Sequence, residues 1–181
     1  MPEQIIGLVG RAGSGKGTVS GLLVEEYHAT VIRFSTILRQ IIHVLDLPET
    51  RDNLILASES LRKAFGEDVL SHAVATAALS STSPLVIIDG IRRLDDISGL
   101  MERPAFTLVN IVADARTRYE RLHARGENTE ETTMMWEEFL EMEQRSTEVS
   151  IDTVAERADV TIQNQGTREE LLASLAQIIQ L

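Results

Sequence analysis

The chain contains no cysteine, only four prolines and 4% aromatic residues, and just two of its 17 basic side chains, Lys16 and Lys63, are lysines. Without cysteine there is no disulfide framework, no thiolate zinc site and no cysteine nucleophile, which fits a reducing compartment. The histidines His28, His43, His72 and His123 lie scattered, with no metal-ligand spacing. Aromatics are so few that Tyr27, Tyr119 and Trp136 read as packing residues rather than base-stacking platforms. No apolar run approaches the roughly 18 residues a membrane helix needs. The opening MPEQIIGLVG lacks the basic start of a signal peptide, so a cytoplasmic location is expected. Positive charge is also short: 28 acidic against 17 basic residues leave a net charge of −11. That balance argues against general affinity for nucleic acid or an anionic membrane.

What remains is an ordinary globular composition, 43% hydrophobic and 25% charged over 181 residues. It excludes disordered, collagen-like and coiled-coil chains, and a chain of this length builds its own core, hiding roughly 70% of its unfolded surface. One domain over residues 1–181 is expected, as a monomer or homodimer. Fifteen of the 17 basic residues are arginine. Genome composition accounts for that bias as well as a functional need does: arginine grips phosphate bidentately where lysine cannot.

Short apolar runs alternate with helical patterns. Ile5–Val9 is a continuous apolar run, as in a strand buried on both faces. Thr30–Phe34, Leu85–Asp89, Phe106–Val112 and Asp159–Asn164 read as four further strands. Between them, a helix starts near Lys16 with Val19, Leu22 and Leu23 inward, and residues 35–80 are helical with breaks at Leu47-Pro48 and near Gly66. An amphipathic helix spans Thr167 to Leu181. Strands separated by helices mean right-handed crossovers and a mainly parallel sheet, an α/β fold. Residues from about 126 to 150 break the alternation. Asn128 with Glu131 offers a capping box, and Met135, Phe139 and Met142 follow at helical spacing, so this stretch reads as a lid or as one more surface helix.

The strongest signal is Gly10-Arg11-Ala12-Gly13-Ser14-Gly15-Lys16-Gly17-Thr18. It has the G-x-x-x-x-G-K spacing, follows an apolar strand and opens a helix. Glycines let backbone N–H groups converge on phosphate oxygens, the helix N-terminus adds partial positive charge, and Lys16 reaches the β- and γ-phosphates. Gly10, Ala12, Gly13, Ser14, Gly15, Lys16, Gly17 and Thr18 are therefore the expected nucleotide-binding residues, with ATP and Mg2+ as cofactors. Asp89 ends a buried strand beside the loop, where a carboxylate can hold the water shell of magnesium; Thr18 supplies the hydroxyl.

The spelling GSGKGT resembles the loop of adenylate kinase and its nucleoside monophosphate kinase relatives. The resemblance implies a three-layer P-loop fold with a five-stranded parallel sheet, order 2-3-1-4-5, and a helical lid. Phe34-Ser35-Thr36-Ile37-Leu38-Arg39 is similar to the family's acceptor-binding stretch, though one residue shorter, which implies acceptor roles for Ser35 and Arg39 with Ser35 or Thr36 as N-cap. Asp89-Gly90-Ile91-Arg92-Arg93 resembles Asp-Gly-Phe-Pro-Arg, whose arginine binds the acceptor phosphate; Arg92 and Arg93 compete for that role. The Asp-Gly-Ile-Arg spelling is closer to an archaeal and bacterial branch of small nucleotide or dephospho-coenzyme A kinases. Leu61 to Gly66 matches the same branch and adds Arg62 to the acceptor side.

Asp114 is expected to cap a helix carrying Arg118, Arg121 and Arg125 along one face. Arg121 and Arg125 keep the spacing of the two lid-entrance arginines that contact the transferred phosphoryl in adenylate kinases; Arg145 is a weaker candidate. The implied function is ATP-dependent phosphoryl transfer to a nucleoside monophosphate, catalysed by Lys16, Asp89, Arg92, Arg121 and Arg125. Dephospho-coenzyme A kinase and a nucleotide-binding regulator of low turnover are the alternatives. The partner in either kinase is a nucleotide-like phosphoryl acceptor, not a nucleic acid or a membrane. With lysine only at 16 and 63, no Asn-Lys-x-Asp guanine-reading motif exists.

Overall fold

The computed structural model describes residues 1–126, 132–144 and 146–180. Five parallel strands form one sheet in the order β2-β3-β1-β4-β5. They are β1 (Gln4–Val9), β2 (Thr30–Arg33), β3 (Leu85–Asp89), β4 (Phe106–Val112) and β5 (Val160–Gln163). Burial explains the order. Every residue of β1 is buried and β3 is buried up to Asp89, whereas β2 and β5, at the edges, expose part of each strand. Continuous apolar runs sit where helices cover both faces.

Helices α1 (Lys16–Tyr27), α2 (Phe34–Val44), α3 (Arg51–Phe65), α4 (Val69–Leu79), α5 (Ala115–Arg125), α6 (Trp136–Glu143), α7 (Ser146–Ala155) and α8 (Arg168–Ala176) complete the described elements. Side chains of β1 alternate between two cores. Ile6 and Leu8 pack with Val19, Leu22 and Leu23 of α1 and Leu171 and Leu175 of α8. Ile5 and Val9 pack with Phe34 and Leu38 of α2, Leu70 and Val74 of α4, and Ile151 and Val154 of α7. The result is the three-layer α/β arrangement expected. No described helix is long and apolar enough to cross a membrane.

Some expected boundaries shift. β2 stops at Arg33, and α2 begins at Phe34 with Arg33 as its N-cap, so neither Ser35 nor Thr36 caps it. Phe34, Leu38 and Ile42 are buried at i, i+4 and i+8, and that stripe draws Phe34 into the helix. The last helix ends at Ala176 and is capped by Thr167 with Glu170. The Asn128–Glu131 capping box and Arg145 lie outside the described residues. Within the rest of the expected lid, Phe139 is fully buried against Tyr119 and Trp136, so α6 is docked on α5.

Candidate active site

The parallel sheet gathers its C-terminal strand ends along one edge, and the loop after β1 enters α1 there. That helix starts at Lys16, with Gly15 as its N-cap, no side-chain cap and no acidic residue in its first turn. Its first N–H groups and the helix dipole are therefore open to an anion. Gly13 (φ 76°) and Gly15 (φ 100°) adopt backbone conformations that favour glycine. Both are also pressed by neighbours: a Cβ on Gly13 would stand 2.5 Å from the Arg118 carbonyl oxygen, and one on Gly15 would stand 2.0 Å from Asn164 Nδ2. A Cβ on Gly17 would meet nothing within 4 Å, which leaves its side of the first turn, where Thr18 is exposed, open for a ligand. Lys16 Nζ curls back to donate to the carbonyls of Gly10 (2.5 Å) and Arg11 (3.2 Å). Ser14 Oγ is buried without a hydrogen-bond partner among the described residues.

On the β4–β5 side the loop is bolted to the protein. Asp114 caps α5 by accepting from Thr117, and those hydrogen bonds hold its carboxyl down to about 2. The Arg118 guanidinium is buried and fully committed: Nη1 and Nη2 donate to the two oxygens of Glu143, Nε donates to the Ala113 carbonyl (3.1 Å), and Nη1 also reaches Ala12 O (3.4 Å). Glu143 also accepts from Arg11 (2.8 Å), whose Nε donates to Asp152 Oδ1 (2.9 Å). Burial pushes Glu143 up, but the hydrogen bonds from Arg118 and Arg11 outweigh it and hold the carboxyl below its usual value. Asp152 is lowered chiefly by its hydrogen bond from Arg11, and Arg11 is raised in return, by Asp152 first. Arg121 donates to the carbonyls of Ser14 (3.3 Å) and Asn164 (2.8 Å), while Asn164 Nδ2 donates to Ser14 O (2.8 Å). The three arginines expected along one face of α5 thus do not act together: Arg118 is inside, Arg121 braces the loop, and Arg125 is exposed at the helix end.

On the β2–β3 side the contacts are looser. Arg33 and Asp89 are register partners at the ends of β2 and β3, and Arg33 Nε donates to Asp89 Oδ2 at 3.2 Å. Arg39 donates to Ser35 Oγ (3.1 Å) and Glu49 (2.6 Å). Arg93 reaches Glu67 at 3.2 Å, whereas the exposed Arg92 side chain has no partner among the described residues. Arg62 departs from expectation. It is 7% exposed and paired with Asp96 at 2.6 Å, so its guanidinium is committed within the fold rather than offered at a surface.

Sequence reasoning missed Arg33, Arg11, Glu143, Asp152, Asn164 and Asp96. Arg33 and Asn164 could have been flagged as strand-end residues, but Glu143 and Asp152 lie 132 and 141 positions from Arg11, with no local pattern linking them. Thr18 and Asp89 are hard oxygen donors of the kind magnesium takes. Among the described residues no group of three or more histidines or carboxylates gathers to hold a metal.

A family model described as the AAA domain matches residues 9–140, from the end of β1 through the phosphate loop into α6. The chain belongs to this family. A UPF0200 protein of Thermococcus kodakarensis is 30% identical over 186 residues, covering 97% of this chain and 96% of that protein. Among solved structures, TT1252 from Thermus thermophilus covers 99% of this AAA-domain chain and 100% of its own, with TM-score 0.63 and 20% identity. The shikimate kinase of Acinetobacter baumannii in complex with shikimate covers 97% and 92%, with TM-score 0.55 and 15% identity. The fold is that of a P-loop kinase.

Proposed function

We propose that the protein is an ATP-dependent small-molecule kinase, adenylate kinase-like, that transfers the γ-phosphoryl of Mg-ATP to a nucleoside monophosphate. One observation carries this reading: arginines stand on both sides of the phosphate loop, Arg121 of α5 bonded to Ser14 on one side and Arg33, ion-paired with Asp89 at the ends of β2 and β3, on the other. Phosphoryl transfer asks little covalent chemistry of a protein; it asks for in-line positioning and neutralised charge. In the proposed scheme the loop amides bind the β- and γ-phosphates, and Lys16 exchanges its carbonyl contacts for them. Arg121 and Arg125 neutralise charge on the moving group. Ser35, Arg39, Arg92 and Arg93 hold the acceptor's phosphate. Magnesium, when bound with ATP, offsets phosphate charge, with Thr18 and Asp89 as the residues that would hold its water shell.

A phosphate-bearing acceptor is favoured over a hydroxyl acceptor such as dephospho-coenzyme A by the end of β2. A phosphate oxygen is already ionised at neutral pH, whereas a hydroxyl needs a base to take its proton. Here β2 ends in Arg33, and the carboxylate beside it, Asp89, is ion-paired to that arginine. The test is ADP release from Mg-ATP with AMP, CMP, UMP, GMP, deoxynucleoside monophosphates, dephospho-coenzyme A and shikimate. Strong stimulation by one monophosphate supports the reading and names the substrate. Stimulation by dephospho-coenzyme A or shikimate alone overturns the acceptor class, and ATP binding without stimulation by any acceptor moves the protein to the regulator class.

A further inference from the structure

Arg62 and Asp96 form a buried ion pair between helix α3 and the turn that follows β3, with side-chain exposures of 7% and 3%. The two oxygens of Asp96 divide their work. Oδ1 accepts from Arg62 Nη2 at 2.6 Å, and Oδ2 accepts the backbone N–H groups of Arg92 (2.8 Å) and Arg93 (2.9 Å). Arg62 Nη1 also donates to the carbonyl of Glu67, whose carboxylate accepts from Arg93 Nη1. The turn is pinned at both ends by the fully buried Ile91 and Ile97, which leaves Arg92, Arg93, Leu94 and Asp95 facing solvent.

Stability alone does not account for this pair. An apolar pair of similar volume holds a helix in place as well or better, and Arg62 Nε is buried without a partner among the described residues. What the pair adds is direction: a carboxylate aimed at two consecutive backbone N–H groups fixes where Arg92 and Arg93 leave the turn. We infer that Arg62 is a positioning residue for acceptor binding, acting through Asp96 to set the Arg92–Arg93 turn against the α2–α3 arm. It does not itself touch the acceptor. The inference rests on the kinase reading above and goes beyond it by linking the two walls of the acceptor site through one buried contact.

The experiment measures KM for ATP and for the stimulating nucleotide in wild-type protein and in Arg62→Met, Arg62→Lys and Asp96→Asn, with hydrogen exchange of residues 90–97. In Arg62→Met the acceptor KM rises roughly tenfold or more while the KM for ATP stays within about twofold, and exchange accelerates in the turn but not in the phosphate loop. Arg62→Lys, which keeps a charge for Asp96, falls between the two. An unchanged acceptor KM, or parallel increases for both substrates, overturns the inference while leaving the kinase reading intact. Wild-type protein that no acceptor stimulates overturns the kinase reading, and the inference falls with it. If Arg62→Met does not fold, Arg62→Lys and Asp96→Asn carry the same comparison.

Discussion

Arg118 and Glu143 pair with side chains 7% and 6% exposed, whereas Arg39 and Glu49 pair at 43% and 52%. The first pair stands for the β4–β5 flank of the phosphate loop, where α5 and α6 meet through a buried ion pair that Arg11 of the loop ties to the exposed Asp152 of α7. The second stands for the β2–β3 flank, where α2 and α3 leave Val44, Leu45, Ile55, Leu56 and Phe65 exposed. Breaking a buried pair strands a charge in a low-dielectric interior, so the loop is held in one geometry before any ligand arrives. An exposed pair contributes little, on the order of 0–1 kcal/mol, so Arg39 can leave Glu49 for a phosphate at almost no cost. One flank holds the loop in one geometry; on the other, apart from the buried Arg62–Asp96 anchor, exposed arginines can exchange partners.

Four measurements can break or sharpen that contrast. Lys16→Ala lies between the flanks and has the largest expected effect: turnover falls by roughly a thousandfold with the melting temperature unchanged, since the lysine supports charge on the transferring group rather than the core. Retained turnover removes the phosphate-loop assignment. Arg118→Ala tests the rigid flank through stability, costing about 3 kcal/mol in urea denaturation by leaving Glu143 buried with half its partners. A loss below about 1 kcal/mol would place this cluster with the exposed pairs.

Arg39→Ala tests the exchanging flank. It raises the acceptor's KM about tenfold. Unfolding free energy shifts by less than about 0.5 kcal/mol. Equal effects on the KM of ATP and acceptor would place Arg39 outside the acceptor site. The smallest effect is on acid stability. Glu143 and Asp152 are held below their usual values, so the stability they contribute is complete above the unfolded carboxylate range, near pH 4. It is lost as pH falls through their lowered folded values. Glu143→Gln should therefore flatten the decline in stability between about pH 5 and pH 3, and an unchanged slope would mean that the cluster does not titrate on unfolding.

Much of the frame was legible in the residues. The bounds of β3 and β4, the start of α1 and the phosphate loop follow from local patterns: unbroken apolar runs, glycine spacing and a helix opening on a lysine. The helix caps were legible where a side chain makes them, as with Asp114, and not at α2, where burial of Phe34 outweighed the nearby hydroxyls. The arginines were the opposite case. Arg62, Arg92 and Arg121 are chemically alike in a sequence, yet one is buried in an ion pair, one is exposed without a side-chain partner among the described residues, and one braces the loop.

The reason is range. Strand, loop and helix are decided by neighbours a few positions apart, and so the sequence by itself determined a parallel α/β chain with a phosphate loop at the end of β1. The task of each cation depends on which carboxylate or carbonyl the topology brings within 3 Å. Arg11 meets Glu143 across 132 positions and Arg62 meets Asp96 across 34. Only the tertiary structure decided which arginines are committed within the fold and which stay exposed, because that choice turns on burial and register rather than on residue type.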